Sequence, residues 1–249
     1  MRNNFKWVVF EGVDCCGKST VSKKVFQYFL KSGDKYDNLF VSITTEPYNT
    51  IDDVLIKSYC NDDSLDRYID FQNYYEDLRA NIKYLLDNNV ISKELKLKLF
   101  LEDRKLLLKS YKIWEKVASS CLVLQDRSYI STLVYQSIYN NKTIYSLMEE
   151  NREIFKQIWD IRPDVIVYLR ASEDVVVDRM VKRGKMDYFD AFAEENISKL
   201  IEKYDLLLKD KKIKSVDVDF KGEVLVVDAN KPVMDCASEV IKFIDRGAL

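Results

Sequence analysis

Short apolar runs alternate with stretches of amphipathic spacing along this 249-residue chain. Phe5 to Glu11 is a mostly apolar run, followed by a loop bounded by Gly12 and Gly17. Thr20 to Leu30 then places Val21, Val25 and Phe29 at helical spacing, so the opening reads strand, loop, helix. Leu39 to Thr45 predicts a second strand that ends at Glu46-Pro47, where proline lacks the N–H a ladder needs. Glu94 to Val117 reads as one long amphipathic helix, with Leu97, Phe100, Leu101, Leu107 and Leu108 recurring at threes, fours and sevens. Cys121 to Leu124 and Asp164 to Leu169 are further buried strands with helical sequence between them. Glu173 to Gly184 is a helix, and Val224 to Val227 is the last strand, closed by Asp228-Ala229-Asn230. Strands of this kind alternating with helices predict an α/β fold: a five-stranded parallel sheet with helices on both faces. Ile51 to Ser92 is polar and tyrosine-rich, helix-like around Tyr68 to Asn88, and has no glycine or proline to mark its elements.

Composition narrows the class. An apolar fraction of 47 % with 12 % aromatics fills a sizeable core, and a single domain over residues 1–249 is the expectation for a parallel α/β chain of this length. Lys and Arg number 39 against 41 Asp and Glu, so there is no broad basic field and duplex nucleic acid is not an expected partner. The chain opens Met-Arg-Asn-Asn without a signal-peptide core, and no apolar stretch is long enough for a membrane span, which predicts a cytoplasmic protein. The five cysteines show no metal-ligand spacing, and histidine is absent. That removes Ser-His and Cys-His nucleophilic catalysis and any histidine base. The chemistry falls to Lys, Arg, Asp, Glu and a metal ion.

Gly12-Val13-Asp14-Cys15-Cys16-Gly17-Lys18-Ser19 fits the phosphate-loop spacing of Gly, four residues, then Gly-Lys-Ser, and it lies between a strand and a helix as its mechanism demands. Backbone N–H groups there cradle phosphate oxygens, Lys18 reaches the β and γ oxygens of ATP, and Ser19 ligates Mg²⁺. Asp126-Arg127 follows the third strand. Sheet topology places its tip beside the first, where the carboxylate can hold metal-bound water and the guanidinium can clamp an acceptor phosphate; a strand-end ion pair is the plain alternative. Phe100, Asp103 and Arg104 share one helix face, either an aromatic platform and a cation for a base or a core residue beside solvated charges. Arg179, Lys182, Arg183 and Lys185 form a basic cluster around Gly184, either a solvated helix end or a lid, over 179–190, that brings charge over the moving phosphate.

Taken in order, Phe10-Glu11-Gly12-Val13-Asp14, Lys18-Ser19-Thr20, Thr45-Glu46-Pro47, Phe100 to Arg104, Asp126-Arg127 with Ser131-Thr132 and Tyr135-Gln136, Arg162-Pro163-Asp164, and Val227-Asp228-Ala229 resemble the thymidylate kinase family. The resemblance touches most of the chain outside 51–93, a stretch that reads as a helical insertion. It implies a P-loop kinase fold, ATP and Mg²⁺ as cofactors, a small nucleotide acceptor and a homodimer. It also implies that Lys18, Asp14, Arg127 and Arg183 are catalytic. Gly12, Cys15, Cys16, Gly17, Ser19, Thr20, Arg179, Lys185, Ala229 and Asn230 would surround ATP. Asp14, Glu46, Pro47, Phe100, Arg104, Arg127, Thr132, Tyr135 and Gln136 would surround the acceptor, and Ser19 and Asp126 the metal.

In two places the chain departs from the family pattern. Thr45 stands where many members carry arginine, and Cys15 where some do, which puts the catalytic cation in the lid. Rival readings are a deoxynucleoside kinase using Glu46 as general base, a non-catalytic nucleotide-binding regulator, and a kinase acting on a modified base within DNA. A nucleoside hydroxyl needs a base, whereas a monophosphate needs cations, and Arg127 with Arg104 favours the monophosphate.

Overall fold

The computed structural model describes residues 4–32, 39–46, 77–84, 86, 92–184 and 188–246. Its centre is a five-stranded sheet in the order β2-β3-β1-β4-β5, every pair parallel. The strands are β1 (Asn4–Glu11), β2 (Leu39–Thr45), β3 (Ser120–Asp126), β4 (Val165–Arg170) and β5 (Glu223–Asp228). Trp7 to Phe10 and Leu122 to Leu124 are buried on both sheet faces, which is why these central strands read as continuous apolar runs.

The helices are α1 (Lys18–Lys31), α2 (77–84), α3 (Lys93–Val117), α4 (Tyr129–Tyr139), α5 (Ile144–Ile158), α6 (Glu173–Arg183), α7 (Tyr188–Tyr204), α8 (Ile213–Val216) and α9 (Val233–Arg246). α1 packs with α9, while α3, α4 and α5 pack with one another, so the two groups cover opposite faces of the sheet. Local sequence sets several starts: Ser92 accepts from the Leu95 N–H at 3.2 Å and Thr143 from that of Ser146 at 3.1 Å.

The expected strands and the long helix are present, with small boundary shifts. α1 begins at Lys18 rather than Thr20, and β3 and β5 run on to Asp126 and Asp228. α7 and α9 are helices beyond those that the apolar spacing predicts. In α9, Cys236, Ala237, Val240 and Ile244 form the buried stripe. Of the helix-like stretch within 51–93, the described residues 77–84 are helical. Registers Phe10↔Asp126 and Thr45↔Asp126 bring the carboxyl ends of β1, β2 and β3 to one edge of the sheet. Ligands bind at that edge in open parallel sheets.

Candidate active site

Backbone geometry builds the loop between β1 and α1. Gly12 lies at φ 142° and Gly17 at φ 106°, both left-handed-side values, and Cys15 joins them at φ 59°. A Cβ on Gly12 would stand 2.6 Å from the Leu169 carbonyl oxygen and 2.8 Å from the Cys16 sulfur, so β4 can pass this close only to glycine. Gly17 caps α1 and points that helix's N-terminus at the loop. The buried Lys18 ammonium curls back to donate to the Val13 carbonyl at 2.7 Å.

The other side of the site comes from the tip of β3. Ser19 donates its hydroxyl proton to Asp126 Oδ2, while Asp126 Oδ1, also buried, has no hydrogen-bond partner among the described residues. Arg127 takes a left-handed turn at φ 67° and anchors its N–H on the Phe10 carbonyl at 2.9 Å. Its guanidinium pairs with Asp14, donates to Ser131 Oγ at 3.3 Å and lies 5.1 Å over the Tyr135 ring. The Tyr135 hydroxyl donates to Asp14 Oδ2 at 2.6 Å and accepts the Asp14 N–H at 3.1 Å. Burial pushes the Asp14 carboxyl up. The charges of Arg127 and Lys18 and the bonds from Tyr135 and Arg127 outweigh it, and the net direction is downward. Arg127, Asp14 and Tyr135 thus form one preset unit.

A cleft of about 610 Å³ joins these pieces. Its walls include Asp14, Cys15, Cys16, Gly17, Lys18, Ser19 and Thr20 of the loop and α1, and Asp126 and Arg127 of the β3 tip. Thr45 and Glu46 close one end and Arg179, Arg183 and Ala229 the other. Arg179 ties the phosphate loop to the turn after β5, donating to the Cys16 carbonyl and to the Ala229 carbonyl, each at 2.9 Å. Arg183 Nη1 reaches 3.8 Å from Cys15 Sγ, and Gly184 at φ 67° ends α6 just beyond it.

Several expected site residues lie behind the cleft wall. Arg104 makes a bidentate pair with Glu46 and donates to Asn151 and, at 2.8 Å, to Thr132 Oγ1. Phe100, Asp103 and Arg104 do share a face, but Asp103 is spent on Arg79, which also donates to the Thr45 carbonyl at 2.8 Å. Phe100 is half-buried on α3, and the buried Gln136 accepts from Asn140 at 2.8 Å. Asn230 accepts from the Ser172 N–H and hydroxyl, 3.0 and 3.1 Å away, off the cleft. Pro47 and Lys185 lie outside the described residues. Burial pushes the Glu46 carboxyl up to about 7, against the opposing charge and hydrogen bonds of Arg104.

Sequence reasoning passed over Lys83, Lys231, Val233 and Cys236, which also line the cleft. Lys231 and Val233 directly follow the Asp228-Ala229-Asn230 signal and could have been read from it. Lys83 sits on α2, in the stretch without landmarks. One helical turn earlier, Arg79 ties that helix down through a buried bidentate pair with Asp103 and a bond to the Thr45 carbonyl.

A parallel sheet with a phosphate loop at the end of β1 and a carboxylate at the tip of the adjoining β3 defines a P-loop nucleotide kinase. The thymidylate kinase family model matches residues 49–239. The phosphate loop precedes that span. The chain is 28 % identical to a thymidylate kinase of Malacoplasma penetrans, over 94 % of this chain and 92 % of that one. It is 26 % identical to a probable thymidylate kinase of Archaeoglobus fulgidus, over 96 % and 94 % of the two chains, and 26 % identical to a thymidylate kinase of Legionella pneumophila, over 97 % and 94 %. The chain belongs to the thymidylate kinase family, and its phosphate donor is ATP. No helix among the described residues is long and apolar enough to cross a membrane.

Proposed function

We propose that this protein transfers the γ-phosphate of ATP to deoxythymidine 5′-monophosphate, forming ADP and deoxythymidine diphosphate. The observation that carries the reading is one cleft with the phosphate loop on one side and the Arg127–Asp14 unit on the other. ATP lies with its β- and γ-phosphates on the loop from Cys15 to Thr20 under Lys18, and its adenine toward Ala229. The acceptor arrives mostly ionised near pH 7, because a phosphate monoester loses its second proton near ~6. It therefore needs cations and no general base. Arg127 binds the acceptor phosphate, Asp14 and Tyr135 hold Arg127, and one acceptor oxygen faces the γ-phosphorus. That oxygen forms the new P–O bond as the bond to the β-bridging oxygen breaks, and ADP departs. Lys18 and Arg183 stabilise the charge that moves with the phosphoryl group.

A magnesium ion fits this site. Asp126 offers a buried carboxylate oxygen that has no hydrogen-bond partner among the described residues, beside the Ser19 hydroxyl. Mg²⁺ usually keeps several waters and takes only one or two protein ligands plus phosphate oxygens. Bound there, it would neutralise charge on the β- and γ-oxygens. Arg104, Thr132 and Gln136 act on the acceptor pocket from behind, Arg104 through Glu46, with Phe100 as the ring for the base. Family membership supports a cytoplasmic homodimer acting on free nucleotides.

The nucleoside kinase reading requires Glu46 to take a proton from a 5′-hydroxyl, and Glu46 is buried and committed to Arg104 on both oxygens. Separating the products of a panel of deoxynucleosides and their monophosphates, each with ATP and Mg²⁺, decides between the two. Deoxythymidine diphosphate from the monophosphate, with thymidine left unreacted, is the expected result. Turnover of thymidine alone would replace this reading with the nucleoside kinase one.

A further inference from the structure

The Glu11 carboxylate ends β1, immediately before the phosphate loop, and it is fully buried. Its Oε1 accepts the Ser128 hydroxyl at 2.7 Å and the Ser131 N–H at 3.3 Å. Its Oε2 accepts the Ser131 hydroxyl at 2.7 Å and the Tyr204 hydroxyl at 3.1 Å. Such a desolvated carboxylate is costly unless donors converge on it, and here they do. Ser131 plays both parts: its oxygen accepts from Arg127 at 3.3 Å while its proton goes to Glu11. The Tyr204 hydroxyl lies 2.9 Å from that same Ser131 oxygen, so its one proton is shared between Ser131 Oγ and Glu11 Oε2.

Tyr204 is the last residue of α7, the helix that follows the Arg179–Arg183 segment. Its ring stacks on Tyr168 of β4, 5.7 Å away and tilted by 19°, and meets Tyr135 edge-on at 6.4 Å. Tyr135 is the ring under the Arg127 guanidinium. The next residue, Asp205, opens a π-helical turn over Asp205–Lys209 and is clamped by the Tyr168 hydroxyl at 2.9 Å and by Arg170 at 3.0 Å. Single π-helical turns are rare and recur at functional sites. The clamp fixes where α7 delivers Tyr204.

We propose that Tyr204 is a positioning residue for the acceptor side of the site: its hydroxyl fixes Ser131 and its ring fixes Tyr135, the groups that hold the Arg127 guanidinium together with Asp14. Tyr204 touches no substrate and acts through these neighbours. The inference rests on the reading that Arg127 binds the acceptor phosphate. Arginine has a long, flexible side chain, and a misplacement of about 1 Å at a phosphoryl acceptor costs up to ~10²-fold, so a support of this kind should register in kinetics.

Steady-state kinetics of Tyr204→Phe, Ser131→Ala, the double variant and Arg127→Ala, with each substrate varied in turn, test the proposal. Removing the Tyr204 hydroxyl should raise the KM for deoxythymidine monophosphate by about tenfold and leave the KM for ATP within about twofold. Ser131→Ala should do the same, and the double variant should be no worse than the poorer single one, because both cut the same link. If Arg127→Ala weakens the acceptor and Tyr204→Phe only lowers Tm, with both KM values unchanged, the positioning role is wrong and Arg127 keeps its part. If Arg127→Ala leaves the acceptor KM unchanged, the role of Arg127 falls and this inference with it.

Discussion

Lys18 and Glu46 both line the cleft, and each supports a prediction at the level of one side chain. Lys18 is the loop's cation, and its ammonium is held over the Val13 carbonyl where phosphate oxygens would gather. Lys18→Ala should lower kcat by about 10²–10³-fold, the scale for losing one preorganised group at developing charge, as read in a coupled ADP assay. Glu46 is a matter of pH. Burial raises its pKa from 4.5 to about 7 in the folded chain, while the unfolded chain ionises near 4.5. Between these values the folded state holds the extra proton. The stabilising contribution is therefore complete below pH 4.5 and is lost as pH rises through about 7. Glu46→Gln should flatten the fall in Tm across that window, and a curve unchanged in slope would contradict the account of Glu46.

At the scale of elements, the close approach of β4 to the phosphate loop has a sharp consequence. Gly12→Ala would put a methyl against the Leu169 carbonyl at a backbone angle that L-residues rarely adopt. That should cost roughly 1–3 kcal/mol of strain or more, lowering Tm by several degrees and abolishing nucleotide binding in a thermal-shift assay. The same geometry explains what could be read in advance. β1, β2, α3 and the phosphate loop depend on local runs and spacings, so Phe10 to Ser19 and Leu39 to Thr45 were legible from their own residues. The side-chain commitments were not. Arg104 looked like a free cation on a helix face, yet it is spent on Glu46, which lies on a loop far away in sequence. Arg79 reaches Thr45 and Asp103, 34 and 24 residues away, and Tyr204 reaches Glu11, 193 residues away. Such pairings are set by topology, and periodicity carries no trace of them.

At the scale of the whole molecule, the cleft gathers the ends of β1, β2 and β3 together with α1, α6 and the turn after β5, so ligand binding should stabilise all of these at once. ATP at one hundred times its Kd should add about 2.7 kcal/mol to the unfolding free energy, visible as a rise in Tm, and Lys18→Ala should need far more ATP for the same rise. On this reading, the cleft moves the γ-phosphate of ATP onto deoxythymidine monophosphate. Incubation with γ-labelled ATP, Mg²⁺ and deoxythymidine monophosphate, followed by separation of the nucleotides, tests it most directly. Label should appear in deoxythymidine diphosphate in step with ADP formation and be lost in Lys18→Ala. Label released as free phosphate, or diphosphate formed equally well by the Lys18→Ala protein, would contradict it.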